Sequence, residues 1–366
     1  MKQKHITRRA FALSSLALTA FALAPLGTVA AADQPIPKPD GKPADMTKPV
    51  QVFILMGQSN MVGMGKIPIL EAAVKTKNKY SYLVDDAGAW IERKDARFVR
   101  YMSGKGPLNN EWLGIKRGTI GPEYGIGHVV GNAVTAPVML LKCCIGNRCL
   151  AFDLLPPGSE RFIVENGGKT YVYAGYKDLV GFWEADPAKG KATDPPAPPI
   201  NKKTGKPSTW YAGLQYDADT ADAKKVLGDL STHYPGATKY EVAGFFFWQG
   251  EKDGGDAIWA ANYEKNLVAF IKALRKDFNA PNAKFVLATM GEATKGSGNK
   301  VMEGQLAVDG KDGKHPEFKG NVATVYSNPL SLGGSGNGHY GGNAETYMNV
   351  GEAMGQAMVE LLKNPK

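Results

Sequence analysis

Ser59 stands behind the apolar run Val52-Phe53-Ile54-Leu55-Met56, in the turn Gly57-Gln58-Ser59-Asn60-Met61. Five β-favouring residues in a row, closed by a glycine, predict a buried strand. A serine at the carboxyl end of such a strand faces the crevice where open α/β sheets hold their ligands. Its hydroxyl becomes a nucleophile once a base lies within hydrogen-bond reach. The same pentapeptide equally suits a plain helix N-cap, since Ser and Asn commonly cap helices. The other reactive groups of the chain have to separate the two readings.

Three further loops fall where strand ends would bring them to the same rim. Gly146-Asn147-Arg148 follows a strand ending at Cys143, Trp248-Gln249-Gly250-Glu251 follows a strand from Val242, and Asn337-Gly338-His339-Tyr340 precedes the last helix. Together they offer a hydroxyl, an imidazole, a carboxylate and an amide, a set sufficient for serine acyl transfer. His339 would deprotonate Ser59, a carboxylate would fix the imidazole tautomer and N–H groups would hold the oxyanion. Each group has a plainer use. A histidine in a glycine-rich loop often only turns the chain, and Glu251 and Glu123 both suit the first turn of a helix. His128, His233 and His315 have no evident partner and read as structural. Gly125-Ile126-Gly127 with Gly131 has the wrong spacing for a dinucleotide loop and no clear strand before it.

The elements that must position these groups alternate. Strands are expected at Val138–Cys143, Val242–Trp248, Phe285–Met290 and Val322–Tyr326. Helices are expected from Gly121 to about Ala133, at Asp217–His233, Ala257–Phe278 and Lys300–Val308, and at Ala344–Leu362, with a glycine-rich loop at 333–342. Strands alternating with helices predict a largely parallel sheet covered on both faces, a three-layer α/β/α domain over residues 50–366. Residues 152–215 lack this periodicity. They include Asp194-Pro195-Pro196-Ala197-Pro198-Pro199, which fits neither a helix nor a central strand, and form a long Pro-rich insertion.

The amino terminus reads as an export address. Thr7-Arg8-Arg9-Ala10-Phe11-Ala12-Leu13 is a twin-arginine pattern, followed by an apolar stretch from Leu16 to Leu26 and by Ala30-Ala31-Ala32. Cleavage is expected after Ala31 or Ala32, giving a periplasmic or secreted protein, with residues 33–49 as a linker. Removing 32 residues from 366 leaves 334 and lowers the formal charge from +9 to +5. The remaining charge is spread out, without a basic cluster interleaved with aromatics, so nucleic acid is not an expected partner. No membrane association is expected after cleavage, and composition sets no oligomeric state. Cys143, Cys144 and Cys149 are expected to pack locally or to give one Cys144–Cys149 staple, without metal-ligand spacing to a histidine.

The order Gly57-Gln58-Ser59-Asn60, Gly121-Pro122-Glu123, Trp248-Gln249-Gly250-Glu251 and His339 resembles the SGNH hydrolase superfamily. Within it, the chain is similar to the sialate O-acetylesterase-like group that includes carbohydrate esterase family 6. The resemblance runs from Val50 to about Met358 and implies a flavodoxin-like fold. It implies Ser59 as nucleophile and His339 as base, with oxyanion donors at Ser59, Gly146 and Gln249. Gln58, Asn60 and Asn147 follow as substrate-binding candidates. Many relatives carry Asp three residues before the histidine. Gly336 stands there in this chain, with Asn337 next, so Glu251 is expected to orient His339 and Asp253 is the reserve.

The expected activity is removal of O-acetyl groups from a carbohydrate, such as acetylated xylan or an O-acetyl sialic acid, through an acyl-serine. This chemistry requires no metal or organic cofactor. An esterase for small aryl or lipid esters and a non-catalytic carbohydrate-binding protein are the alternatives. Trp183, Trp210, Tyr211 and Tyr216 could stack on a sugar or form the insertion's own core, the more common fate of such residues.

Overall fold

Alternating apolar runs and amphipathic segments fold into a sheet with helices on both faces. The computed structural model describes residues 35–102, 106–116, 118–185 and 195–364. In chain order the strands are β1 (Val50–Gly57), β2 (Gly65–Lys66), β3 (Ala96–Met102), β4 (Gly106–Trp112), β5 (Thr119–Ile120) and β6 (Val138–Cys143). They continue with β7 (Phe162–Asn166), β8 (Lys169–Tyr173), β9 (Phe182–Glu184), β10 (Tyr240–Trp248), β11 (Lys284–Ala288) and β12 (Val322–Val325). The helices are α1 (Ser59–Val62), α2 (Ile67–Lys77), α3 (Glu123–Ala133), α4 (Leu214–Gly228), α5 (Leu230–His233), α6 (Ala257–Ala261), α7 (Tyr263–Asp277), α8 (Lys300–Ala307) and α9 (Ala344–Leu362).

The main sheet runs β12-β11-β10-β1-β6-β3-β4, and every neighbouring pair is parallel except β3 with β4. Successive side chains of a strand point to opposite faces, and the core divides accordingly. Val52, Ile54, Met56, Phe245 and Phe247 pack with α4, α7 and α8. Phe53, Leu55, Phe246 and Trp248 pack with α2, α3 and α9. Each such side chain fully removed from water contributes about 1.5–3 kcal/mol.

After β1 the chain first forms β3 and the edge strand β4 on one side and then returns inward to β6, beside β1. It then crosses to build β10, β11 and β12 on the other. The carboxyl end of β1, between β6 and β10, is therefore the topological switch point, where such sheets form their binding crevice. Ser59, the Gly146 loop and the Trp248–Glu251 loop leave the sheet there.

Several expectations need correction. The helix expected over Ala257–Phe278 breaks at Asn262 into α6 and α7, and that over Asp217–His233 starts earlier and breaks at Asp229. The Pro-rich insertion contains a three-stranded antiparallel sheet, β7-β8-β9. Its candidate sugar wall is mostly committed. Trp183 and Tyr216 are buried, the Trp210 indole donates to Asp153 at 3.0 Å, and Tyr211 lies under the Lys177 ammonium. The cysteines are three buried free thiols, with no Cys144–Cys149 staple. Cys143 and Cys144 face opposite sides of the sheet, and burial pushes the Cys144 thiol up to about 12. Residues 36–366 form one unit, and residues 1–32, where an export signal is expected, lie outside the described residues.

Candidate active site

The Ser59 turn is shaped by glycine. Gly57 ends β1 at φ 145°, a backbone region that favours glycine. A Cβ there would run into the Trp248 carbonyl of β10. The close approach lets the Gln58 N–H donate to that same carbonyl at 3.2 Å, so β10 fixes where the nucleophile's turn begins. Ser59 then opens α1 at the switch point.

His339 comes from the opposite side on a left-handed turn. His339 and Tyr340 both have φ 53°, followed by Gly341 at 62° and Gly342 at 78°. Two consecutive non-glycine residues in this region cost about 1–2 kcal/mol each, a strain that neighbouring packing has to hold. The buried Tyr340 ring stacks on Trp248 with centroids 5.8 Å apart, and the Tyr340 hydroxyl accepts from the Gly291 N–H at 3.2 Å. So held, His339 places Nε2 2.9 Å from Ser59 Oγ. That is hydrogen-bond reach for a base on a nucleophile.

The Gly146 loop passes over this pair. A Cβ on Gly146 would sit 3.4 Å from the Ser59 Cβ, so the glycine brings bare backbone close to the nucleophile. Asn147 takes φ 56°, the left-handed turn that asparagine tolerates better than most residues. Among the described residues, neither the Ser59 nor the Gly146 N–H is spent on a loop or turn hydrogen bond.

The other expected site residues lie elsewhere in the network. Among the described residues, the Glu251 carboxylate makes no hydrogen bond to the His339 ring, contrary to the expectation from sequence. One oxygen accepts from the Gln58 amide and the other from Asn60 Nδ2 at 2.6 Å. Burial pushes its pKa up from 4.5 to about 7, and the nearby Glu292 carboxylate adds to the rise. Gln58 and Asn60 are buried, with their amide N–H groups committed to Glu251. Asn60 also donates to the Gly336 carbonyl at 3.1 Å and accepts from the Tyr347 hydroxyl at 3.2 Å. The Gln249 amide is spent as well. Its Nε2 donates to the Arg148 carbonyl at 2.9 Å and to Asp253 at 2.6 Å, while Oε1 accepts from Tyr263. It has no N–H left aimed at Ser59. Asp253, the reserve, accepts from the Leu150 and Ala151 N–H groups at 2.9 Å each and so pins the end of the Gly146 loop. Asn147 and Asn337 remain exposed.

Two acids complete the surroundings. Glu123, at the start of α3, forms a buried ion pair with Lys142 of β6, and Lys142 also donates to the Val62 carbonyl at 3.1 Å. The pair ties the end of the nucleophile's helix to the strand that carries Gly146. Glu292, which sequence reasoning missed, accepts from the Gly336 N–H at 2.9 Å. It follows β11 by four residues, so the strand-end rule that selected Ser59 and Glu251 reaches it too.

Residues 215–360 match the family described as carbohydrate esterase, sialic acid-specific acetylesterase. Among solved structures the chain is similar to a protein from Arabidopsis thaliana, with 20% identity and a TM-score of 0.48, covering 87% of this chain and 100% of the other. It is also similar to a carbohydrate acetylesterase from Xanthomonas citri (13%, TM-score 0.41, 84% and 55%) and to NanS (12%, TM-score 0.35, 67% and 69%). No curated protein matches the chain. The matched stretch, which carries Gln249, Glu251 and His339, is similar to a carbohydrate esterase and supports a carboxylic ester hydrolase.

Proposed function

We propose that this carbohydrate esterase is a serine enzyme that removes O-acetyl groups from a glycan through an acetyl-Ser59 intermediate. The observation that carries the reading is the 2.9 Å contact between His339 Nε2 and Ser59 Oγ beneath the open Gly146 backbone. His339 takes the Ser59 proton as Oγ attacks the acetyl carbonyl, and the developing oxyanion meets the Ser59 and Gly146 N–H groups. Collapse of the tetrahedral intermediate breaks the bond to the sugar oxygen, which receives the proton from the imidazolium. Water, deprotonated by His339, then attacks the acetyl-serine and releases acetate.

The acidic framework contributes by holding the parts in place. Glu251 holds Gln58 and Asn60, on either side of the nucleophile, and Asn60 in turn holds Gly336. Preorganisation of this kind is what makes proximity effective, because small displacements of a base or nucleophile are costly in rate. The substrate side of the crevice is polar, with Asn147 exposed and the Arg148 guanidinium over the Trp210 ring at 4.5 Å. A polar wall suits a sugar better than a lipid chain.

The test is acetate release from acetylated xylan, other acetylated glycans and O-acetyl sialic acid, with wild type and Ser59→Ala side by side. Wild type releases acetate from at least one glycan, and the variant falls by about a millionfold while remaining folded. A folded Ser59→Ala protein with most of its activity would end the serine reading. Activity confined to small aryl esters would end the glycan one.

A further inference from the structure

A side chain at position 336 would have to displace the ends of three neighbouring side chains. A Cβ there would lie 2.6 Å from Glu251 Oε1, 2.8 Å from Glu292 Oε2 and 2.8 Å from the Tyr340 hydroxyl. Two carboxylates from the ends of neighbouring strands β10 and β11 converge on the space that an acid at 336 would fill. They differ in what they hold. Both Glu251 oxygens are engaged by the Gln58 and Asn60 side chains. Glu292 Oε2 accepts the Gly336 N–H at 2.9 Å, and the Gly336 carbonyl accepts the His339 N–H at 3.0 Å. A single residue, Gly336, therefore links the Glu292 hydrogen bond to the histidine's own backbone.

Glu292 is exposed, but the backbone that carries it is firmly placed. The preceding Gly291 donates its N–H to Tyr340, and its carbonyl accepts from the Asn328 amide at 2.8 Å. A Cβ on Gly291 would lie 2.6 Å from the Tyr340 hydroxyl. The β11 loop thus grips residues on both sides of His339: Gly336 through Glu292, and Tyr340 through Gly291.

We propose that Glu292 is the positioning residue of the His339 loop, supplying from β11 the carboxylate that the loop itself lacks at position 336. The strained left-handed turn at His339 needs an external hold, and the Glu292–Gly336 hydrogen bond provides it at the loop's amino end. The hold needs a side-chain oxygen at the right reach to accept the Gly336 N–H, which a carboxylate or an amide of the same length supplies. Glu292 acts through the backbone, so its loss lowers turnover and leaves substrate affinity in place. The proposal rests on the serine-esterase reading above.

The experiment is steady-state kinetics on the full chain with Glu292→Gln, Glu292→Asp and Glu292→Ala, each checked for an unchanged Tm. Glu292→Ala is expected to lower kcat about 100-fold and Glu292→Asp, whose oxygen is drawn back, about tenfold, while Glu292→Gln keeps an acceptor and stays within about threefold. KM stays within about twofold in all three, a split that general loosening of the fold would not give. A Glu292→Ala enzyme with wild-type kcat, or a Glu292→Gln enzyme as slow as Glu292→Ala, overturns the proposal. Should Glu292→Ala fail to fold, the pair of conservative variants decides, because the charge-preserving Asp must be the slower of the two. Ser59→Ala assayed in parallel separates the two failures. Activity in that variant sinks the serine reading, whereas its loss beside a normal Glu292→Ala sinks only the positioning role.

Discussion

Two acids, Glu123 and Glu251, lie near the Ser59 turn, and only one has a cation. Glu123 faces Lys142, and both are buried with almost no solvent contact. Glu251 faces two side-chain amides and stands next to a second carboxylate, Glu292, across Gly336. A closed ion pair is a scaffold device whose members are costly to separate. Burial, with the like charge of Glu292 beside it, outweighs the hydrogen bonds from Gln58 and Asn60 and raises Glu251 to about 7. The Glu123 region joins the nucleophile's helix to β6, while the Glu251 region joins the nucleophile's flanks to the histidine loop. One region builds the fold, and the other sets the relation between the two reacting groups.

The comparison is broken most readily at Glu123. Glu123→Ala strands the Lys142 ammonium in the core and is expected to cost about 3–5 kcal/mol of stability. Denaturant unfolding reads this directly. A loss below about 1 kcal/mol would show that Lys142 finds another partner or reaches water, and the pair would not be a scaffold element.

Glu251→Gln sharpens the contrast. The glutamine offers one acceptor oxygen where two amide donors need one each, so a buried N–H loses its partner at a cost of about 1–3 kcal/mol. Turnover should fall about 10- to 100-fold as Asn60 and Gly336 loosen, less than for loss of Ser59. The pH dependence carries a definite sign. A carboxyl whose folded pKa is raised binds its proton more tightly in the native state, so its contribution to stability is full below about pH 4.5 and is lost as pH rises through about 7. Wild type should therefore lose about 1–3 kcal/mol across that window that Glu251→Gln does not lose. Parallel pH–stability curves for the two proteins would show that the Glu251 carboxyl is not perturbed.

Much of this arrangement was legible in the sequence. The runs Val52–Met56, Val138–Cys143 and Val242–Trp248 gave the central strands because full burial on both faces leaves an unbroken apolar signal. The strands β3 and β4 escaped notice. Arg97 and Arg100 interrupt the first, and the second is a half-exposed edge whose polar side chains read like a loop. At the site, strand ends and turn chemistry brought Ser59, Gly146 and His339 into one set. Sequence could not say where Glu251 points. Loop residues on neighbouring strands share a rim, and which side chain meets which depends on a few ångströms of loop path. Gly336 was readable only as a missing acid. That two carboxylates crowd its Cβ position is a three-dimensional fact.

The central claim is that an acetyl group passes through Ser59. It is tested most directly by mixing enzyme with an activated acetyl ester, quenching in acid within the first turnovers and mapping the digested peptides by mass spectrometry. The account predicts one added acetyl group on the peptide that contains Ser59, absent from Ser59→Ala and accumulating when His339→Ala slows deacylation of a reactive ester. Rapid turnover with no acetyl on Ser59, or an acetyl group on another residue that turns over at the catalytic rate, would contradict it.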